Sequence, residues 1–106
     1  ELDYRLEFKE FNIALQYNVL TDYQASIKSF DNFLIDFPGS DLREKALYHR
    51  FDSAYKLAIN SVVWKQEERI ENVVNYFNSF KNNYKDSEFL KEMETKMEEL
   101  VKLNNI

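Results

Sequence analysis

The chain contains no cysteine, and only one histidine, one proline and one glycine occur among its 106 residues. Without cysteine, the sequence excludes disulfides, thiolate metal ligands and a thiol nucleophile. One proline and one glycine are too few for a fold that depends on many tight turns, so a β-rich architecture is disfavoured. No apolar run approaches the roughly 20 residues that a membrane-spanning helix requires.

Positive charge is also scarce. The chain carries 14 Lys and Arg against 19 Asp and Glu, which gives a formal net charge of −5. Nucleic acid would meet net repulsion, so it is excluded as a partner. The 44% of hydrophobic and 16% of aromatic residues are typical of a folded chain with one core. We expect a single domain over 1–106, and we interpret the start at Glu1, without Met, as that of a fragment of a longer protein.

Apolar residues recur at helical spacing along the chain. One stretch places them at i, i+4, i+7, i+11 and i+14, a single stripe of an α-helix, in Tyr23, Ile27, Phe30, Leu34 and Phe37. Thr21, followed three residues later by Gln24, predicts a capping box at the start of this helix. Pro38 ends the helix. The same periodicity predicts a helix over 2–19 and three more after Ser40, hence five helices and no strand.

Two segments of the chain correspond when they are offset by 47 residues, YQASIKSFDNFLIDFPGSDL and IENVVNYFNSFKNNYKDSEF. Identical residues then align in three places, Phe30 with Phe77, Phe33 with Phe80 and Ser40 with Ser87. Such a repeat of helix–turn–helix units is closest to the tetratricopeptide pattern, A-x3-F…P. When Pro38 is taken as the terminal proline, Ser26 stands where the template has alanine. We therefore predict an all-α, tetratricopeptide-like helical repeat.

Several phrases carry a resemblance to a known family. They are SIKSFDNFLIDFPGS, the helix segment AYKLA, the connection NSVVWKQEER and the second phrase FNSFKNNYKDS. Over roughly residues 22–90 the chain resembles the outer-membrane protein assembly lipoprotein family of the BamD/YfiO type. It departs from the family pattern at Lys85, where the second phrase often has proline, and at Ser26, where alanine is usual.

The resemblance implies a non-enzymatic scaffold on the periplasmic face of the outer membrane. Its implied partners are proteins, namely the β-barrel assembly machinery and unfolded outer-membrane proteins. Contact with the membrane would come only through a lipid anchor on an N-terminal cysteine that this sequence does not contain. The alternative is a generic tetratricopeptide-like adaptor in a cytoplasmic or other complex.

Residues suited to catalysis are few. His49 is the only histidine, and no Gly-rich phosphate loop or G-x-S-x-G turn is present. Glu67, Glu68 and Glu71 lie near the start of a helix, where they complement its dipole, and no histidine accompanies them at metal-ligand spacing. We expect no enzyme activity, no cofactor and no metal.

Two sets of residues are candidates for partner binding. Lys45, His49, Asp52 and Lys56 fall at i, i+4, i+7 and i+11, one polar stripe that lines a peptide groove by analogy with tetratricopeptide proteins. The alternative is a solvated outer face. Trp64, after two valines in the connection, either anchors a partner or packs against neighbouring helices, and packing is favoured.

The first helix has two apolar stripes. We expect Leu6, Ile13, Ala14 and Tyr17 to pack on the next helix. The other stripe, Tyr4, Phe8, Phe11 and Leu15, has no evident partner within the chain. We predict that it forms a repeat interface, covered by a preceding repeat or by a second copy in a homodimer.

Overall fold

The computed structural model describes residues 2–104, with side-chain environments over 5–103. Within these residues the regular structure is entirely helical and contains no strand, which confirms the predicted class. The five helices are α1 (Leu2–Val19), α2 (Tyr23–Asp36), α3 (Arg43–Ile59), α4 (Val63–Asn83) and α5 (Leu90–Asn104). None of the described helices combines the length and the apolarity needed to cross a membrane.

The helices stack in chain order in two layers. Each helix packs on the next one, and α3 also touches both α1 and α5. The odd-numbered helices α1, α3 and α5 therefore lie side by side, with α2 and α4 behind them. This is the arrangement of a tetratricopeptide-like helical repeat, as the sequence predicts.

The core consists of two clusters that meet on α3. The first joins α1, α2 and α3 through Phe11, Ala14, Phe30, Phe33 and Ala46. The second joins α3, α4 and α5, with Phe51, Val73, Phe80, Met93 and Leu100 among its fully or almost fully buried members. Alanines at the helix contacts let the backbones approach closely, while the aromatic rings fill the space between pairs.

The two junctions of the predicted repeat have the same backbone geometry. Phe37 donates its N–H to the Phe33 carbonyl at 2.8 Å, and Tyr84 donates to the Phe80 carbonyl at 2.8 Å. The φ and ψ angles are −130° and 62° at Phe37, and −137° and 68° at Tyr84. The ring centroids in each pair lie 5.4 Å apart. The internal correspondence in sequence is thus also a correspondence in structure.

Serine organises the turn at each junction. The Ser40 hydroxyl accepts from Leu42 N at 2.9 Å, and the Ser87 hydroxyl accepts from Phe89 N at 3.1 Å. Lys85 follows the second junction where Pro38 follows the first, yet the geometry is unchanged. Proline is therefore not required for this turn; the serine side chain, which replaces a backbone partner, is common to both.

The predicted capping box at Thr21 is wrong. The backbone N–H of Thr21 donates to the Asn18 carbonyl at 3.0 Å, and that of Asp22 donates to the Tyr17 carbonyl at 2.9 Å. This is the pattern of a Schellman motif, which ends α1. Thr21 holds the left-handed position of this motif, with φ 63°. The cap of α2 is Asp22, whose carboxylate accepts from Ala25 N at 3.2 Å. Because Thr21 already ends one helix, it cannot also begin the next.

The two faces of α1 are also reassigned. Phe11 is only 5% exposed and Leu15 packs on the first core cluster, so both have partners within the chain and are not free for a repeat interface. Leu6, Ile13 and Tyr17, which we expected to pack on α2, are exposed instead. The reason is that Phe11, Ala14 and Asn18 share one face at i, i+3 and i+7. Phe8 is about half exposed, and the Tyr4 side chain lies outside the described residues.

Candidate partner-binding groove

The predicted polar stripe of α3 lies where the three odd-numbered helices meet. From α1, Asn18 Nδ2 donates to Ser53 Oγ at 2.6 Å, and Asn18 Oδ1 accepts from Lys56 Nζ at 3.1 Å. From α5, Lys96 Nζ reaches the Asp52 carboxylate at 2.7 Å. Lys45 lies on the same helix and is exposed. By the analogy with tetratricopeptide proteins, we hereafter call this set the groove; it consists of Lys45, His49, Asp52, Lys56, Asn18 and Lys96, of which Asn18 and Asp52 are buried.

Asp52 is the centre of the groove. Its carboxylate is buried and forms salt bridges with Lys96 at 2.7 Å and with Lys56 at 3.0 Å. Asn18 Nδ2 donates to the same carboxylate at 3.3 Å. Lys96 also pairs with Glu92 at 3.0 Å, one turn earlier on α5. Asp52 therefore joins α1, α3 and α5 through charge-assisted hydrogen bonds.

The charges in the groove hold one another in the ionised state. Burial of the Asp52 carboxyl opposes its ionisation, but the hydrogen bonds from Lys96 and Lys56 outweigh burial and lower its pKa below the ordinary value. Burial likewise opposes the charge on Lys96, but its hydrogen bonds to Asp52 and Glu92 raise its pKa. The network is therefore an assembly of paired ions at neutral pH.

We expect Asp52 to contribute to the acid dependence of stability. Its folded-state pKa is lower than that of the unfolded chain, so its contribution is complete above the unfolded pKa and is lost as the pH falls through the folded value. The free energy of unfolding of the wild type should fall between about pH 5 and pH 2 more steeply than that of Asp52→Asn. Urea denaturation at a series of pH values measures both slopes. Parallel curves would contradict a depressed pKa at Asp52.

His49 forms a wall of the groove. Its ring stacks on Phe30 with centroids 6.1 Å apart and 14° between planes, and it meets Phe11 and Tyr48 edge-on. Burial lowers its pKa, while the nearby Asp52 opposes this shift. The half-buried imidazole is therefore held by aromatic contacts, and we expect its role toward a partner to be packing and hydrogen bonding.

Tyrosines on the α5 side complete the groove and were missed by the sequence analysis. Tyr48 donates to Glu92 and Tyr55 donates to Glu99. Burial and these hydrogen bonds to carboxylates raise the pKa of each tyrosine to about 12. A sequence signal does exist: Tyr48, Asp52 and Tyr55 share one face of α3, and α5 carries an acidic, basic and acidic residue at matching i, i+4 and i+7 spacing.

The groove, counted together with the adjacent Glu92, has one excess positive charge. Lys56 and Lys96 are opposed by Asp52 and Glu92, and Lys45 is the cation of the predicted stripe that forms no salt bridge with any described residue. Among the described residues no group of three or more His, Cys, Asp or Glu is placed to hold a metal ion. The chemistry available is hydrogen bonding, aromatic contact and one unpaired positive charge.

Trp64 is not part of the groove. The helix α4 begins at Val63, so Trp64 lies in its first turn rather than in the connection, and on a helix of the other layer. Its side chain is 81% exposed, as is that of Val63. The expected packing of Trp64 against neighbouring helices is therefore wrong, and the alternative of an exposed anchor stays open.

The fold and junctions define the chain as an all-α helical repeat of the tetratricopeptide-like class. No protein-family model matches the sequence, and no curated protein matches it either.

Proposed function

We propose that this protein is a non-enzymatic scaffold that binds other proteins through the groove. The observation that carries the proposal is the polar stripe of α3. Salt bridges fix Asp52, Lys56 and Lys96 there, and Lys45 is exposed about two turns earlier on the same helix. Helical-repeat proteins bind partners on surfaces formed by equivalent helices of successive units. Side chains that are already ordered lose little conformational entropy on binding.

We further propose that the scaffold serves outer-membrane protein assembly from the periplasmic face, attached by a lipid anchor outside this sequence. Its partners would be the β-barrel assembly machinery and unfolded outer-membrane proteins. The support is the resemblance to the BamD/YfiO family. In addition, two residues of the NSVVWKQEER phrase, Ser61 and Arg69, contact each other, with Arg69 donating to the Ser61 hydroxyl at 2.6 Å. This contact gives these two residues of the phrase a structural role.

The groove proposal predicts that Lys45→Glu weakens binding of the β-barrel assembly partner about tenfold, which corresponds to roughly 1.4 kcal/mol. Lys45 is the exposed, unpaired cation of the stripe, so reversing its charge removes attraction without breaking a salt bridge. The measurement is calorimetric titration with the purified periplasmic part of the partner. Lys28→Glu is the matched control, since Lys28 is exposed on α2 in the other layer and the change in net charge is the same.

Equal affinities for Lys45→Glu, Lys28→Glu and the wild type would contradict the groove as the binding surface. Binding of the partner to neither variant nor wild type would contradict the role in outer-membrane assembly and favour the adaptor alternative. The full-length coding sequence independently distinguishes the role in outer-membrane assembly from the adaptor alternative. A signal peptide that ends in a lipid-accepting cysteine supports the first, and a cytoplasmic start contradicts it.

A further inference from the structure

The corner between α3 and α4 is braced from within. Asn60 Nδ2 donates to the Lys56 carbonyl at 2.8 Å, and the Ser61 hydroxyl donates to the Leu57 carbonyl. Arg69, two turns into α4, donates to the same hydroxyl at 2.6 Å. The end of α3 and the start of α4 are therefore fixed relative to each other.

The braced corner presents large apolar side chains to solvent. Val63 and Trp64 are each 81% exposed, and Val62 before them is also exposed. Helix capping does not account for Val62, because it occupies the N-cap without a side-chain hydrogen bond and valine is a poor residue there. Ser61, which could cap a helix, uses its hydroxyl on α3 and Arg69 instead.

Acidic residues continue the same face of α4. Glu67, Glu68 and Glu71 follow Trp64 at i+3, i+4 and i+7, positions that share one side of a helix. All three are exposed, and none forms a salt bridge with a described residue. Lys65 is the neighbouring cation and points a quarter turn away by its helical position. The Trp64 face, defined as Val63, Trp64, Glu67, Glu68 and Glu71, is apolar at one end and negative at the other.

We propose that the Trp64 face docks a basic amphipathic helix of a partner protein. The face runs along nine residues of α4, about 12 Å, so a second helix can match it turn by turn. An apolar stripe on that helix would cover Trp64 and Val63, and flanking Lys or Arg would pair with the three carboxylates. This inference rests on the proposed scaffold function and adds a second surface, on the layer opposite the groove, with its own partner chemistry.

Charge argues against the other occupants of this face. A second copy carries the same net charge of −5 and the same acidic face, so two copies repel each other. An anionic lipid surface is likewise repelled by the three carboxylates, although Trp64 alone would suit a membrane interface. A basic helix satisfies both the apolar and the acidic part of the face.

Trp64 is the only tryptophan of the chain, so its fluorescence reports on this face alone. The probe is a tryptophan-free amphipathic peptide with a leucine stripe flanked by lysines, compared with the same peptide carrying glutamate at every lysine. We expect the lysine peptide to shift Trp64 emission to shorter wavelength and the glutamate peptide not to. In Glu67→Lys/Glu71→Lys the Kd for the lysine peptide should rise at least about tenfold and the preference should reverse.

The control is Glu94→Lys/Glu98→Lys on α5, which has exposed residues at the same spacing and the same change in net charge, and should bind like the wild type. An equal response to both peptides, or none to the lysine peptide, overturns the proposal. A blue shift that grows with protein concentration alone also overturns it, because it indicates that a second copy covers the face. So does a blue shift caused by phosphatidylcholine or phosphatidylglycerol vesicles but not by the peptide, because it indicates that the face binds a membrane. The Trp64-face variants change no groove residue. A negative peptide result therefore does not affect the Lys45→Glu test of the groove, and a negative Lys45→Glu result does not affect the peptide test.

Discussion

Replacement of Phe51 by alanine is expected to lower the free energy of unfolding by about 3–5 kcal/mol. Phe51 is completely buried on α3, at the centre of the second core cluster. Its ring lies 6.2 Å from that of Phe77 on α4 and 6.5 Å from that of Tyr55, between centroids. Truncation removes these contacts and leaves a cavity that the surrounding helices can fill only in part. Urea denaturation followed by circular dichroism measures the loss.

A change of this size is a large fraction of the roughly 5–15 kcal/mol that stabilises a typical domain. The matched control is Ile35→Ala on α2, which also truncates a large apolar side chain but at a position that is 75% exposed. This control should remain within about 0.5 kcal/mol of the wild type. Similar losses for both variants would mean that Phe51 is not at the centre of a packed core.

The helices and their repeat could be predicted because they depend on local spacing. Apolar periodicity gave the number of helices, and the aligned aromatic residues located two junctions that share hydrogen bonds and backbone angles. The faces of α1 were less predictable. Both stripes are apolar, and only contact with α2 and α3 decides that Phe11 is buried while Ile13 is not. Periodicity identifies the apolar stripes of a helix, and tertiary packing decides which of the stripes is buried.

The candidate groove could be predicted only on one helix. The spacing of Lys45, Asp52 and Lys56 predicts a common stripe, and in the structure all three lie on α3. The partners of Asp52 are distant in sequence, with Asn18 at a separation of 34 and Lys96 at 44. Such pairs require the packing of α1 and α5 on α3 to be known first. The exposure of Trp64 could not be predicted for a related reason. A large apolar residue in a connection is ordinarily buried, and only the packing of the neighbouring helices decides whether one of them covers it.

Ser26, which departs from the template alanine, belongs to a buried hydrogen-bond chain between three helices. Its hydroxyl donates to the Ala14 carbonyl on α1 at 2.9 Å and lies 2.9 Å from the Ser53 hydroxyl on α3. Ser53 in turn accepts from Asn18 at 2.6 Å. Since the single proton of Ser26 is directed at Ala14, the proton between the two hydroxyls comes from Ser53. Both serines are fully buried, so water cannot replace a lost partner.

We therefore expect Ser26→Ala, although it restores the template residue, to destabilise the fold by about 1–3 kcal/mol. Ser53 then loses the acceptor of its proton. The matched control is Ser29→Ala on the same helix, whose hydroxyl forms no hydrogen bond with a described residue. Both substitutions gain the same helix propensity, so their difference in urea denaturation isolates the buried bond. A stabilised Ser26→Ala would mean that the hydroxyl chain contributes nothing.

The pair Ser26→Ala and Ser53→Ala should be less costly together than the sum of the two single changes, by at least about 0.5 kcal/mol. Each single variant leaves one buried hydroxyl without its neighbour, whereas the double variant removes both hydroxyls at once. The Asn18 contact with the Ser53 hydroxyl at 2.6 Å is lost in both Ser53→Ala and the double variant, so its loss cancels and the cycle measures the bond between the serines. Strict additivity would mean that the two hydroxyls are not coupled. Positive coupling would identify this chain as the element that sets α1, α2 and α3 in register beneath the groove.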